Sequence, residues 1–331
     1  MSNQMSVVFA IAAYGLCSSS MLFLNKLSVS YMPDEELRLL PGPISCMQLL
    51  FAVVFCIGLK FAKLTTYDGI SKKVMQMYTL YGVLFVGSVY ASMQALKVSN
   101  VETQIVFRSA SPIAVSVLDF MFLGRELPSG RSLLSLVGIL VGAVAYVLTD
   151  SEFKMTGFTA YTWISIYFVL ICAEMTIGKH MMSNYKISSI WGSVLLTNAT
   201  ALPQMFLLSF GRGEFKDFPI AVSHVSPILW FIVLGSCMVG TLIGWTGWNC
   251  RSLVSATSYT LIGVVNKLLT VILSVFFLEK HASFEGLVSL GLCIAASTLY
   301  RQPPMRSEKN EELTEIEITE EGKSLKNSEV V

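Results

Sequence analysis

From Val7 to Tyr300, apolar runs of about twenty residues follow one another with only short polar breaks, and this succession limits the possible folds more than any motif does. A helix needs ~20 mostly apolar residues to cross the hydrocarbon core of a bilayer. Helix is also the only form open to such runs, because lipid offers no water to satisfy backbone groups and an open sheet leaves its edges unpaired. Ten spans are predicted, at Val7–Val29, Gly42–Phe61, Val74–Met93, Val101–Leu123, Leu133–Thr149, Thr159–Gly178, Ile190–Phe210, Pro227–Thr246, Leu253–Leu278 and Phe284–Tyr300. The expected fold class is therefore an all-α polytopic membrane protein with the lipid bilayer as its first partner. With 53% hydrophobic and 14% charged residues in 331, little of the chain remains for a soluble domain.

An even number of spans puts both termini on one side. Residues 1–6 are uncharged and precede no small-residue cleavage site, so they read as a short cytosolic N-terminus and the first span as an uncleaved anchor. Lysines and arginines decide which side is cytosolic. With the N-terminus in the cytosol, the cytosolic loops and tail hold twelve (among them Lys72, Lys73, Arg125, Lys179 and Arg251) against six on the other side. Residues 301–331, with Pro303 and Pro304 near their start and a charged, polar composition, read as a disordered cytosolic tail.

Several function classes drop out. The net charge of +1 leaves no basic face to track a phosphate backbone, which excludes nucleic acid. The seven cysteines lack paired spacing and read as small buried hydrophobes. His180, His224 and His281 fall in predicted loops, no H-E-x-x-H spacing occurs, and no nucleophile has a base partner. Neither catalytic residues, metal nor cofactor is expected. "GRGEFKDF" around Gly211 lacks the strand-turn-helix context of a phosphate loop and reads as a polar luminal turn.

The halves resemble each other at an offset of 153 to 154 positions. Lys26 and Tyr31 face Lys179 and Tyr185, and "FLGRELPSGRSLLSLVGILVGAVAY" parallels "FFLEKHASFEGLVSLGLCIAASTLY". Residues 7–149 and 159–300 are then two five-helix repeats. Five is odd, so the second must be inverted relative to the first, an arrangement that suits a site exposed alternately to each side.

An ionisable side chain at the centre of a span costs ~2.5–3.5 kcal/mol on insertion scales. Lys267, fourteen residues into the ninth span, is too deep to snorkel easily, whereas Lys26 near the end of the first can. Beside Lys267 runs a single helical stripe of Ser255, Tyr259, Gly263, Asn266 and Thr270, at spacings of four, four, three and four. Tyr14, Ser18 and Asn25 share a face of the first span; Ser193, Thr197 and Gln204 share one of the seventh, with Asn198 adjacent and Pro203 placed to bend it. Such residues pack helices or line a common cavity. Arg108 in the fourth span, like Lys26 and Lys179, either pairs helices or adds charge to that cavity. For Arg108, pairing with a carboxylate is the favoured expectation, with Asp119 in the same span and Glu174 in the sixth the acids at hand. A diphosphate would suit Lys267, and a flat base would stack on tyrosine and bond to asparagine amides.

These residues resemble a known family. "SYTLIGVVNKLLT" is similar to the G-x-x-N-K motif (Gly263, Val264, Val265, Asn266, Lys267) of the GDP-sugar branch of Golgi nucleotide-sugar transporters, within the drug/metabolite transporter superfamily. Tyr14 through "SSSMLFLNK" and "FRSASPIAVSVLDFMFLGRELP" are similar to the same branch, from about residue 5 to 302, with plant members of GDP-L-galactose, GDP-fucose or GDP-mannose type the nearest in pattern. The resemblance implies ten helices in two inverted five-helix repeats, exchange of a cytosolic GDP-sugar for luminal GMP, and no enzymatic activity. It implies a Golgi membrane location, or else the endoplasmic reticulum, with both termini cytosolic. Guanine would meet the seventh-span F-x-N-N motif, here Leu195, Leu196, Thr197 and Asn198. The sugar and phosphate side would meet Tyr259 with Gly263 to Lys267. Thr197 replaces one of the motif's two asparagines, so UDP-sugars or phosphorylated metabolites stay open as substrates. A membrane-embedded glycosyl or lipid transferase is the reading from another class. Glycine-rich spans also permit a homodimer.

Overall fold

The computed structural model describes residues 3–30, 40–67, 70–99, 101–122, 124–149, 161–185, 187–223, 226–254, 259, 262–263, 283–301, 303 and 306. Among these residues the elements are α-helices: α1 (Asn3–Ser30), α2 (Pro41–Phe61), α3 (Lys72–Val98), α4 (Val101–Phe122), α5 (Gly130–Thr149), α6 (Thr162–Asn184), α7 (Ile190–Gly211), α8 (Glu214–Ser223), α9 (Pro227–Leu253) and α10 (Phe284–Thr298). Among the described residues, eight are long and apolar enough to cross a membrane: α1 to α7 and α9. They match the first eight predicted spans, and the shorter α10 matches the tenth. Most of the predicted ninth span lies outside the described residues.

Local chemistry sets where helices begin. Ser71, Ser226 and Ser283 accept hydrogen bonds from the backbone N–H groups of Val74, Leu229 and Gly286 at 3.2, 3.3 and 3.2 Å, satisfying donors that a first turn leaves open. The α2 start has no such cap. There a distant residue substitutes: Glu214, at the start of α8, accepts from Gly42 N–H at 2.9 Å and also from Tyr90, Gln94 and Ser209. The stretch read as a polar turn thus carries a buried carboxylate that ties α2, α3 and α7 together.

Helix ends depart from the sequence reading where burial replaces lipid. The eighth span was expected to stop at Thr246, yet α9 runs to Leu253 because Trp248, Cys250 and Arg251 are packed inside the protein. Arg251 is only 8% exposed, so it is not a loop charge, and the orientation tally becomes eleven against six.

The helices pair α1 with α9, α3 with α6, α2 with α7, and α5 with α10, with further packing of α2 on α9 and of α3 on α7. This pattern maps onto itself when α1, α2, α3 and α5 are exchanged for α6, α7, α9 and α10. In the α5–α10 pair the backbones meet closely: a Cβ on Gly142 would lie 2.7 Å from Cys293 Sγ and 3.0 Å from the Ser289 carbonyl, so the position has room only for glycine.

The two lysines share one task. Lys26 Nζ donates to the carbonyls of Leu96 and Ser99 at 2.7 and 2.9 Å, at the C-terminus of α3. Lys179 Nζ donates to those of Arg251 and Val254 at 3.1 and 2.9 Å, at the C-terminus of α9. An ammonium group supplies donors for last-turn carbonyls and the positive charge that a helix C-terminus favours. Lys26→Met is therefore expected to lower stability by about 1.5–3 kcal/mol, the scale of charged hydrogen bonds. Thermal unfolding in detergent reads this, and an unchanged midpoint would show the cap to be dispensable.

Candidate functional site

Between the helices lies a cavity of about 230 Å³ walled by α1, α2, α3, α4, α6, α7 and α9, with Tyr259 from the predicted ninth span. A second cavity of about 100 Å³ adjoins it, sharing Asn25, Ser92, Arg108 and Tyr167.

Arg108 stands on the shared wall. Its guanidinium donates to Tyr167 Oη at 3.1 Å and to Tyr14 Oη at 3.2 Å, and its buried Nε has no partner. Among the described residues no carboxylate lies within ion-pair distance of it. The expected pairing of Arg108 with a carboxylate is therefore not formed among the described residues: Asp119 faces Arg125 at 3.8 Å, and Glu174 is held elsewhere. A guanidinium held only by neutral hydroxyls keeps its whole charge, and its fork of N–H donors fits a phosphate.

Glu174 instead pairs with Arg251, Nη2 to Oε1 at 3.1 Å. The carboxylate also accepts from Tyr81 Oη at 3.0 Å and Ser88 Oγ at 2.7 Å, and Arg251 Nη1 donates to Tyr81 Oη at 2.9 Å. The Arg251 guanidinium lies 5.3 Å from the Trp248 ring and 4.8 Å from that of Tyr259. Sequence reading missed this cluster: Arg251 looks like a loop residue, and its hydrogen-bond partners Tyr81 and Glu174 come from other helices. One acid and one base cancel there, so among the described residues Arg108 supplies the cavity's surplus positive charge.

Of the residues singled out from sequence, Tyr14, Thr197, Asn198 and Tyr259 line the first cavity. The rings of Tyr14 and Tyr259 stack at 4.6 Å, and Gly263 brings bare backbone beside Arg108, where a Cβ would lie 3.5 Å from Nη2. Thr197 is buried and its hydroxyl oxygen has no partner, while Asn198 Nδ2 donates back to Val194 O at 2.7 Å. Of the other seventh-span residues, Ser193 accepts from Tyr78 and Gln204 donates to the Thr79 carbonyl; neither lines the cavity. Lys26 and Lys179 are helix caps away from it. Ser255, Val264, Asn266 and Lys267 lie outside the described residues. Asn25 lines both cavities, and Gln48, which sequence reading passed over, reaches the first from α2.

The sequence profile of the Triose-phosphate Transporter family matches residues 5–301. GDP-fucose transporter 1 of Arabidopsis thaliana is 36% identical over 91% of this chain and 86% of its own length. From the same organism, GDP-mannose transporter GONST3 is 30% identical over 98% and 89%, and UDP-galactose/UDP-glucose transporter 7 is 24% identical over 86% and 87%. A solved crystal structure, 14% identical, superposes with a TM-score of 0.57 over 89% of this chain and 96% of its own, a likeness of fold alone.

Proposed function

The chain belongs to the Triose-phosphate Transporter family, a family of transporters and not of enzymes, and from that premise we propose that it exchanges a cytosolic GDP-sugar for luminal GMP across the Golgi membrane. GDP-L-galactose and GDP-fucose are the favoured cargoes and GDP-mannose the next. The observation that carries this reading is Arg108, a cation without a carboxylate partner among the described residues, set in a cavity walled by both halves of the chain. Thr197 and Asn198 on one wall offer polar atoms to a base, and the Tyr14–Tyr259 stack offers it an aromatic face. Relatives named for GDP-fucose and GDP-mannose support guanine as that base.

Ten helices in two inverted repeats fit the same proposal. Two features support them: the self-mapping helix pairs, and the matching lysine caps at Lys26 and Lys179. The cavity of about 230 Å³ falls below the ~300–1,000 Å³ of ordinary ligand pockets, so a whole nucleotide sugar enters only as the halves rock apart. The loop charges, eleven against six, support both termini on the cytosolic side.

Uptake by proteoliposomes preloaded with GMP tests the reading. GDP-sugars are expected to enter faster than UDP-sugars or phosphorylated metabolites, and only with GMP inside. Faster UDP-sugar entry would favour the alternative that Thr197 and the UDP-sugar relative suggest. Lys267→Ala is expected to abolish exchange at unchanged yield of folded protein, and full exchange by that variant would remove the lysine from the site.

A further inference from the structure

Asn25, Ser92 and Gln104 line the second cavity, which Thr197 and Asn198 do not, and with Gln48 in the first they make a set of uncharged amides and hydroxyls with unused hydrogen-bonding capacity. Ser236 donates its hydroxyl to the Val233 carbonyl at 2.6 Å, so toward Gln48 it can only accept, which fixes the Gln48 amide with Nε2 facing Ser236 at 3.0 Å. The same Nε2 donates to Asn25 Oδ1 at 2.9 Å. Asn25 must then present Nδ2 elsewhere, and Gln48 its Oε1. Neither atom has a protein partner among the described residues, and both side chains line the first cavity.

Gln104 extends the set. It is 3% exposed, lines the second cavity, and bonds through Nε2 to Ser92 Oγ while Oε1 has no partner. Whichever way its amide is turned, one polar atom stays unmatched. A buried, unsatisfied amide group costs about 1–3 kcal/mol, a cost that a ligand would offset. Gln104 also lies four residues before Arg108 on α4, so the two side chains share a face about one turn, ~5.4 Å, apart.

Resting on the transport reading above, we propose that Asn25, Gln48, Ser92 and Gln104 form the sugar subsite, which sets which hexose is carried. Donors and acceptors without net charge suit a neutral polyol and not a phosphate, and Asn25, Ser92 and Gln104 share with Arg108 the second cavity, which Thr197 and Asn198 do not line, as suits the part of a nucleotide sugar beyond the phosphates. A site built to bond hydroxyls rejects an epimer that misplaces one, because its own buried groups are then left bare.

The test compares two competitors of labelled GMP uptake in proteoliposomes, GDP-fucose and GDP, for the unaltered protein, Asn25→Leu and Gln104→Met. Each variant is expected to weaken the sugar nucleotide relative to GDP by about tenfold, the scale of one lost hydrogen bond in a desolvated site, and to flatten discrimination between GDP-fucose and GDP-mannose. Equal weakening of both competitors is what a merely structural role predicts, and it would overturn the proposal. If Gln104→Met fails to fold, Asn25→Leu decides, since among the described residues the Asn25 amide nitrogen donates to no protein group. Preference of the unaltered protein for UDP-sugars would sink the guanine reading but not this test, which then compares the UDP-sugar with UDP.

Discussion

Arg108→Gln is expected to slow exchange in proteoliposomes by about a hundredfold while leaving the protein folded and at least as stable. The guanidinium bonds to two tyrosine hydroxyls, has an unpartnered Nε, and meets no carboxylate among the described residues. Truncating one partner of a desolvated charge pair costs ~2–5 kcal/mol, and each ~1.4 kcal/mol is tenfold, so a lost phosphate contact reaches that size. Stability should move the other way, because a partly buried cation without a counter-charge is a burden on the empty protein. Arg108→Lys retains the charge but not the planar fork and should fall between. Initial rates with melting midpoints separate the readings. Normal exchange, or a loss of stability of several kcal/mol, would make Arg108 a structural residue.

Breaking the Arg251–Glu174 pair should have the opposite profile. Both side chains are nearly fully buried, and removing one partner leaves the other as an uncompensated charge, at a cost of ~3–5 kcal/mol. Arg251→Met strands the Glu174 carboxylate with the Tyr81 and Ser88 hydroxyls alone. Glu174→Gln strands the guanidinium against Trp248 and Tyr259. Each single variant is expected to lose most of its folded yield. The double variant should recover a large part, because replacing a whole buried pair is often near neutral. A double-mutant cycle on unfolding midpoints measures this, and additive losses would show that the two charges do not act as a pair.

Much of this fold was legible in the residues. The first eight spans fall where the apolar runs predicted, and the matched positions of Lys26 and Lys179 return as matched caps on α3 and α9. Tyr14, Thr197 and Tyr259 stand on polar stripes, Asn198 lies beside one, and all four reach one cavity. The stripe rule failed one and two turns away: Ser193 and Gln204 share the Thr197 stripe yet bond to α3, because a stripe fixes a face and not what that face meets. Glu214 was hidden in a stretch that looks like a solvated turn, and Arg251 at a helix end that looks like a loop.

The sequence by itself determined that the chain crosses the membrane as helices, since backbone hydrogen bonds in a helix join near neighbours and twenty apolar residues suffice to specify them. Which polar groups are matched and which are left over was decided only by the tertiary structure. Gln48 finds Ser236 at a separation of 188 residues and Arg251 finds Glu174 at 77, so the cation and the amides that stay available are known only after the helices have packed.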